Sequence, residues 1–83
     1  MANNDVWPFV QGATNFTMKF DYDGNNNMIY CGWAQTGSAS SDPAWRIMQQ
    51  TFNGSNLMTD IKWPDGSTAF GFIWDNRASL SYQ

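Results

Sequence analysis

The sequence predicts an all-β domain, a small antiparallel meander, sandwich or barrel-like, of about five strands with an irregular N-terminal arm. Three observations predict it. Apolar residues recur with period two in several short stretches. Turn-forming pairs separate those stretches: Asp23-Gly24, Asn53-Gly54 and Asp65-Gly66. The composition is that of a folded chain, because aromatics reach 17% while charged residues are only 13%.

The 83 residues make one domain. Residues 1–13 are polar except for Val6-Trp7-Pro8-Phe9-Val10. Pro8 argues against a central strand. This segment reads as an arm that reaches a neighbouring subunit, and Trp7 and Phe9 are its candidate contact residues. In residues 15–22, Phe16, Met18, Phe20 and Tyr22 share one face and Asn15, Thr17, Lys19 and Asp21 the other. That is a half-buried strand. A hairpin turn at Asp23-Gly24 leads to Met28-Ile29-Tyr30-Cys31-Gly32-Trp33-Ala34, apolar on both faces and so central. Gly32 marks a bulge or a close backbone approach. Trp33 beside it joins Trp7 and Phe9 as a candidate interface residue.

Residues 35–43 are a loop by composition. Residues 44–52 fit a strand or a helix, and the Asn53-Gly54 turn that follows favours the strand. The next strand puts Leu57, Thr59, Ile61 and Trp63 on one face. Residues 68–74 are ambiguous between strand and helical turn. Residues 77–82 read as a last short strand with Ala78, Leu80 and Tyr82 inward.

A domain of this size is marginal on its own and usually adds a disulfide, a metal or a partner. Cys31 is the single cysteine, so no disulfide is expected within the chain. With no histidine and no second cysteine, a zinc site is not expected either. Oligomerisation or docking onto something larger remains. The polar surface is carried by Asn, Ser, Thr and Gln, which suits a permanent assembly, where buried charges cost desolvation. Net charge is −3 and the four cations, Lys19, Arg46, Lys62 and Arg77, are scattered. They make no basic footprint for nucleic acid. The N-terminus has no basic and apolar leader pattern, and no apolar run approaches the roughly 20 residues that cross a membrane. Synthesis in a cytoplasm is expected.

Residues 21–27 resemble a calcium loop, but the EF-hand positions for Gly and Glu hold Asn26 and Gly32. Turn composition accounts for these residues. Asp21 and Asp23 share a strand face, yet paired-carboxylate chemistry needs a cleft that so short a chain hardly builds. A serine–histidine triad is impossible without histidine. No catalytic residue, metal or cofactor is expected. The five tryptophans invite a sugar-binding reading. Trp45, Trp63 and Trp74, however, fall on expected inward faces, where small cores use large aromatics. Trp74, Asp75, Asn76 and Arg77 gather an aromatic, an acid, an amide and a cation. They read as a structural corner: Trp74 in the core, Asp75 and Asn76 forming the bend, and Arg77 forked onto a carboxylate or stacked on an indole.

Several short motifs occur in order: Tyr30-x-Gly32-x-Ala34, Trp45-Arg46-Ile47, Trp63-x-Asp65-Gly66, Phe70, and the closing Trp74-Asp75-Asn76-Arg77-Ala78-Ser79-Leu80-x-Tyr82. In these residues the chain resembles a family of very short virion-associated proteins of tailed bacteriophages. The resemblance covers residues 30–82. Cys31 and Trp33 are bulkier than the small residues that commonly flank the glycine there. It implies a non-enzymatic structural protein of the virion, made in the host bacterial cytoplasm, and it transfers no catalytic or binding residue. The expected role is a capsid decoration or cement protein, a homo-oligomer held on the major capsid protein or other virion proteins. A tail, neck or fibre component and a carbohydrate-binding adhesion module are the alternatives.

Overall fold

The computed structural model describes residues 15–83. Four strands run as a meander: β1 (Phe16–Tyr22), β2 (Met28–Gln35), β3 (Pro43–Phe52) and β4 (Met58–Lys62). All neighbours are antiparallel, in the order β1-β2-β3-β4. A two-residue strand, β5 (Phe72–Ile73), pairs with the first residues of β3. The chain closes with a six-residue 3-10 helix, Trp74–Ser79, and an isolated bridge between Pro64 and Tyr82. The antiparallel meander expected from the sequence is therefore the fold. It stays an open sheet: β1 and β4 do not pair, so no barrel closes.

Both hairpin turns use the same construction. Asp23 Oδ1 accepts from the backbone N–H groups of Asn25 (2.8 Å) and Asn27 (3.0 Å). Asn53 Oδ1 accepts from those of Ser55 (2.8 Å) and Leu57 (3.2 Å). The left-handed residue in each is an asparagine, Asn26 (φ 65°) and Asn56 (φ 63°), not the glycine. A short amide side chain tolerates that region better than most residues do. The Asn27 side-chain amide donates to Asn56 Oδ1 at 3.0 Å and ties the two turns together at one end of the sheet. Asp23 is thus a turn residue, in keeping with the turn composition of residues 21–27.

Register decides which side chains share a face, since directly paired residues point the same way. Gly32 pairs with Lys19 on β1 and Ile47 on β3. Tyr30, Gly32, Ala34, Trp45 and Ile47 therefore lie on one face, and Thr17, Lys19 and Asp21 continue it across β1. The C-terminal segment covers this face. Ala34, Trp45, Ile47 and Trp74 form its buried core, with Tyr30, Phe72, Leu80 and Tyr82 packed around them. The Trp45 and Trp74 rings lie 6.0 Å apart. Trp45 Nε1 donates to the Ala39 carbonyl at 2.9 Å and pins the β2–β3 loop over the core.

Gly32 is where the chain approaches most closely. A Cβ there would stand 2.5 Å from Cε3 of Trp74. The sequence left a bulge or a close approach open at this residue, and the Cε3–Cζ3 edge of the Trp74 indole against the strand is the reason for the glycine.

The C-terminus departs from the expected last strand. Residues 74–79 are helical and Ala78 is exposed. Only the final residues return to extended structure, where Trp63 and Gln83 exchange backbone hydrogen bonds (3.1 and 2.9 Å). A 3-10 helix eclipses residues three apart. That places Arg77 over Trp74, with its guanidinium carbon 4.6 Å from the ring centroid. A strand would send the two to opposite faces.

Two predictions follow from packing and from turn chemistry. Gly32→Ala should cost about 1–3 kcal/mol by overpacking, and Trp74→Ala about 3–5 kcal/mol by leaving a cavity. Because the two residues touch, the Gly32→Ala penalty should shrink in a Trp74→Leu background, a non-additivity readable in denaturant unfolding. The second concerns Asp23, whose pKa is lowered chiefly by the Asn27 backbone N–H, with Asn25 and the Asn27 side chain adding to it. A depressed folded pKa stabilises fully above the unfolded value of about 3.9 and loses that contribution as pH falls through the folded one. Asp23→Asn keeps the acceptor and should flatten this acid-side loss relative to wild type in urea midpoints measured against pH.

Candidate interaction face

The closing quartet is a brace on the covered face. Trp74 is 5% exposed. Arg77 Nε meets Asp21 Oδ2 at 3.0 Å, joining the helix to β1. A terminal nitrogen of Arg77 donates to the Trp74 carbonyl at 3.2 Å. Tyr82 Oη donates to the Arg77 carbonyl at 2.8 Å. Burial, helped by the neighbouring Tyr30, pushes the Tyr82 hydroxyl far above the usual tyrosine range, so it stays a donor. Asp75 and Asn76 are exposed, and the Asp75 backbone N–H donates to the Ser40 carbonyl at 3.1 Å. These four residues do not converge on a cavity. The ion pair is partly exposed, so it adds at most about 1 kcal/mol.

The opposite face of the sheet is different. Phe16, Met18, Phe20 and Tyr22 lie on it and are 46–57% exposed. The half-buried strand is therefore turned the other way from a simple amphipathic reading: its Thr-Lys-Asp side lies on the face that the helix covers. Register extends the open face through Cys31 and Trp33 on β2, Arg46, Met48 and Gln50 on β3, and Ile61 on β4. A bulge at Thr59 interrupts the alternation expected for residues 57–63, so Met58, not Leu57, pairs with Phe52. Ile61 and Met58 are also largely exposed. Cys31 is buried, and that burial raises its thiol pKa, which disfavours the reactive thiolate.

An aromatic row runs across one end of this face. The Trp33 and Trp63 rings meet edge to face at 6.4 Å. The Arg46 guanidinium lies 5.5 Å from Trp33 and 4.6 Å from Phe70. Phe70 stacks on Phe16 at 5.9 Å. Arg46 also donates through Nε to the Thr68 carbonyl. An open groove of about 380 Å³ at the end of the row is bounded by Phe16, Phe70, Pro43 and Ala44, with Gln35 and Ser38 at its margin.

Of the sequence-predicted interface residues, Trp33 is half-buried in this row, while Trp7 and Phe9 lie outside the described residues. The tryptophans do not line up in solvent among the described residues: Trp45 and Trp74 are buried, Trp33 and Trp63 half-buried. Sequence reasoning missed the open face itself. Its signal was present as apolar residues on both sides of β2 and on one side of β1. No group of three or more metal-ligating side chains gathers among the described residues. No family model matches the chain, and no curated protein or solved structure is similar enough to match it.

Gln50 supplies a local test. Its Nε2 donates to Met58 Sδ at 3.8 Å, but its buried Oε1 has no partner among the described residues. Removing an unsatisfied acceptor is neutral or favourable. Gln50→Met should therefore change unfolding free energy by between zero and about +1 kcal/mol. A loss of stability in thermal or urea unfolding would mean the amide is satisfied in solution.

Proposed function

We propose that the chain is a non-enzymatic structural protein of a tailed bacteriophage virion, working as a capsid decoration or cement protein. The observation that carries this reading is an apolar face that no described residue outside the sheet covers, with Phe16, Met18, Phe20, Tyr22 and Ile61 about half exposed on it. Proteins that stay apart in solution rarely leave such a face open. Two strand edges, on β1 and β4, are also unpaired among the described residues, and edges are natural templates for docking. The surface is poor in charge, which lowers the desolvation cost of a permanent contact with the major capsid protein. The virion assignment itself rests on the closing Trp74-Asp75-Asn76-Arg77-Ala78-Ser79-Leu80-x-Tyr82 block and the motifs ahead of it.

Quantitative mass spectrometry of purified particles of the encoding phage tests the reading. A decoration protein repeats with the symmetry of the shell, so it should be present in dozens of copies or more, roughly stoichiometric with a shell site. Fewer than about a dozen copies per particle would point instead to a tail, neck or fibre position. Absence from particles would end the virion reading.

A further inference from the structure

We infer that the open face of the sheet packs against the same face of a second copy, sheet to sheet, to form a two-fold dimer. This goes beyond the virion reading and does not rest on it: a dimer formed through this face can exist in solution, and it leaves the β1 and β4 edges for a shell contact.

The first support is size. Phe16, Met18, Phe20, Tyr22, Ile61 and Phe70 each leave about half of their surface in water. At about 150–250 Å² per aromatic side chain, the six expose on the order of 600 Å². The largest apolar patch on an ordinary monomer is about 300–600 Å². One side of a standard stable interface is about 800 Å². With the half-buried Trp33 and Met48 added, the face is of interface size.

The second support is charge. Lys19 and Asp21 on β1, and Asp60 and Lys62 on β4, all fall on the covered side by register. Asp23 and Asp65 sit in turns, Asp42 in the β2–β3 loop and Asp75 in the helix. Arg46 is the one charged strand residue on the open face among the described residues. It is already held by two aromatic rings and a carbonyl. A partner therefore needs no compensating charge, and two copies can meet with no acid buried. For an isologous contact this matters, because the two-fold axis buries each interface charge twice and each copy needs its own partner.

The third support is shape. Four strands spaced about 4.8 Å apart make a platform some 15–20 Å wide, which another sheet covers at about 10 Å separation. A single extended segment, however laid, covers only one band of such a platform. A second sheet matches the whole platform.

Sedimentation velocity on the full chain over a concentration series tests the inference. The expected species has twice the 9.4 kDa chain mass. Met18→Glu and Phe20→Glu, each placing a charge in the contact, should raise the dissociation constant roughly 100-fold or more. Lys19→Glu, between them on the other face, should leave it unchanged. Isotope-filtered NMR on a mixed-label wild-type sample reads the contact without any variant. It should show intermolecular contacts among Met18, Phe20, Met48 and Ile61. A monomeric wild type overturns the inference, as does a dimer indifferent to both glutamates or one lacking those contacts. A monomer that dimerises only after residues 1–14 are deleted also overturns it, and assigns the face to the chain's own N-terminal segment.

Discussion

The contact of the Trp74 indole with the bare backbone of Gly32 organises the molecule. A flat sheet has no interior, so something must lie on it. Here the covering element is one helical turn and a short tail, and it comes close only because Gly32 offers no Cβ. The other core groups depend on that approach. Trp45 reaches the Trp74 ring, Ala34 leaves room beside it, and Tyr82 closes over Tyr30.

The helix that carries Trp74 has little intrinsic reason to exist. Six residues is long for the 3-10 form, and no side chain caps its start. Tertiary contacts maintain it. Trp74 anchors one end, Arg77 stacks back on the same ring while reaching Asp21, and Tyr82 holds the Arg77 carbonyl. The string that resembles an active site is thus a clasp between the end of the chain and its first strand. Each of its polar groups is engaged in that clasp or faces solvent.

Among the described residues, coverage of one face leaves the other open, and the proposed function rests on this asymmetry. Strand charges lie on the helix side, where Lys19, Asp60 and Lys62 stay exposed beyond the covering segment, while large apolar groups on the open side are exposed too. Burial inside the domain is small. A second apolar surface of interface size makes sense when the remaining stabilisation comes from association. The same physics serves a shell protein, whose stability is shared with its neighbours.

Much of the local structure was legible in the sequence. Period-two alternation in Phe16–Tyr22 and the Asp23-Gly24 and Asn53-Gly54 turns were sufficient for the hairpins, because strand pairing and turn chemistry are short-range. Gly32 and Trp74 were each visible as unusual. Only the tertiary structure decided three further things. It selected the Thr17-Lys19-Asp21 side of β1 for the covered face, since register carries that strand's orientation from Gly32 rather than from its own polarity. It made residues 74–79 helical, because Trp74 meets Gly32 while Arg77 reaches Asp21 from the same side, which needs the three-residue repeat that a strand lacks. It moved Met58 into the place expected of Leu57, through a bulge that no alternation pattern encodes. In each case the deciding contact joins residues distant in sequence, or depends on a partner strand, and periodicity within one segment carries no record of it.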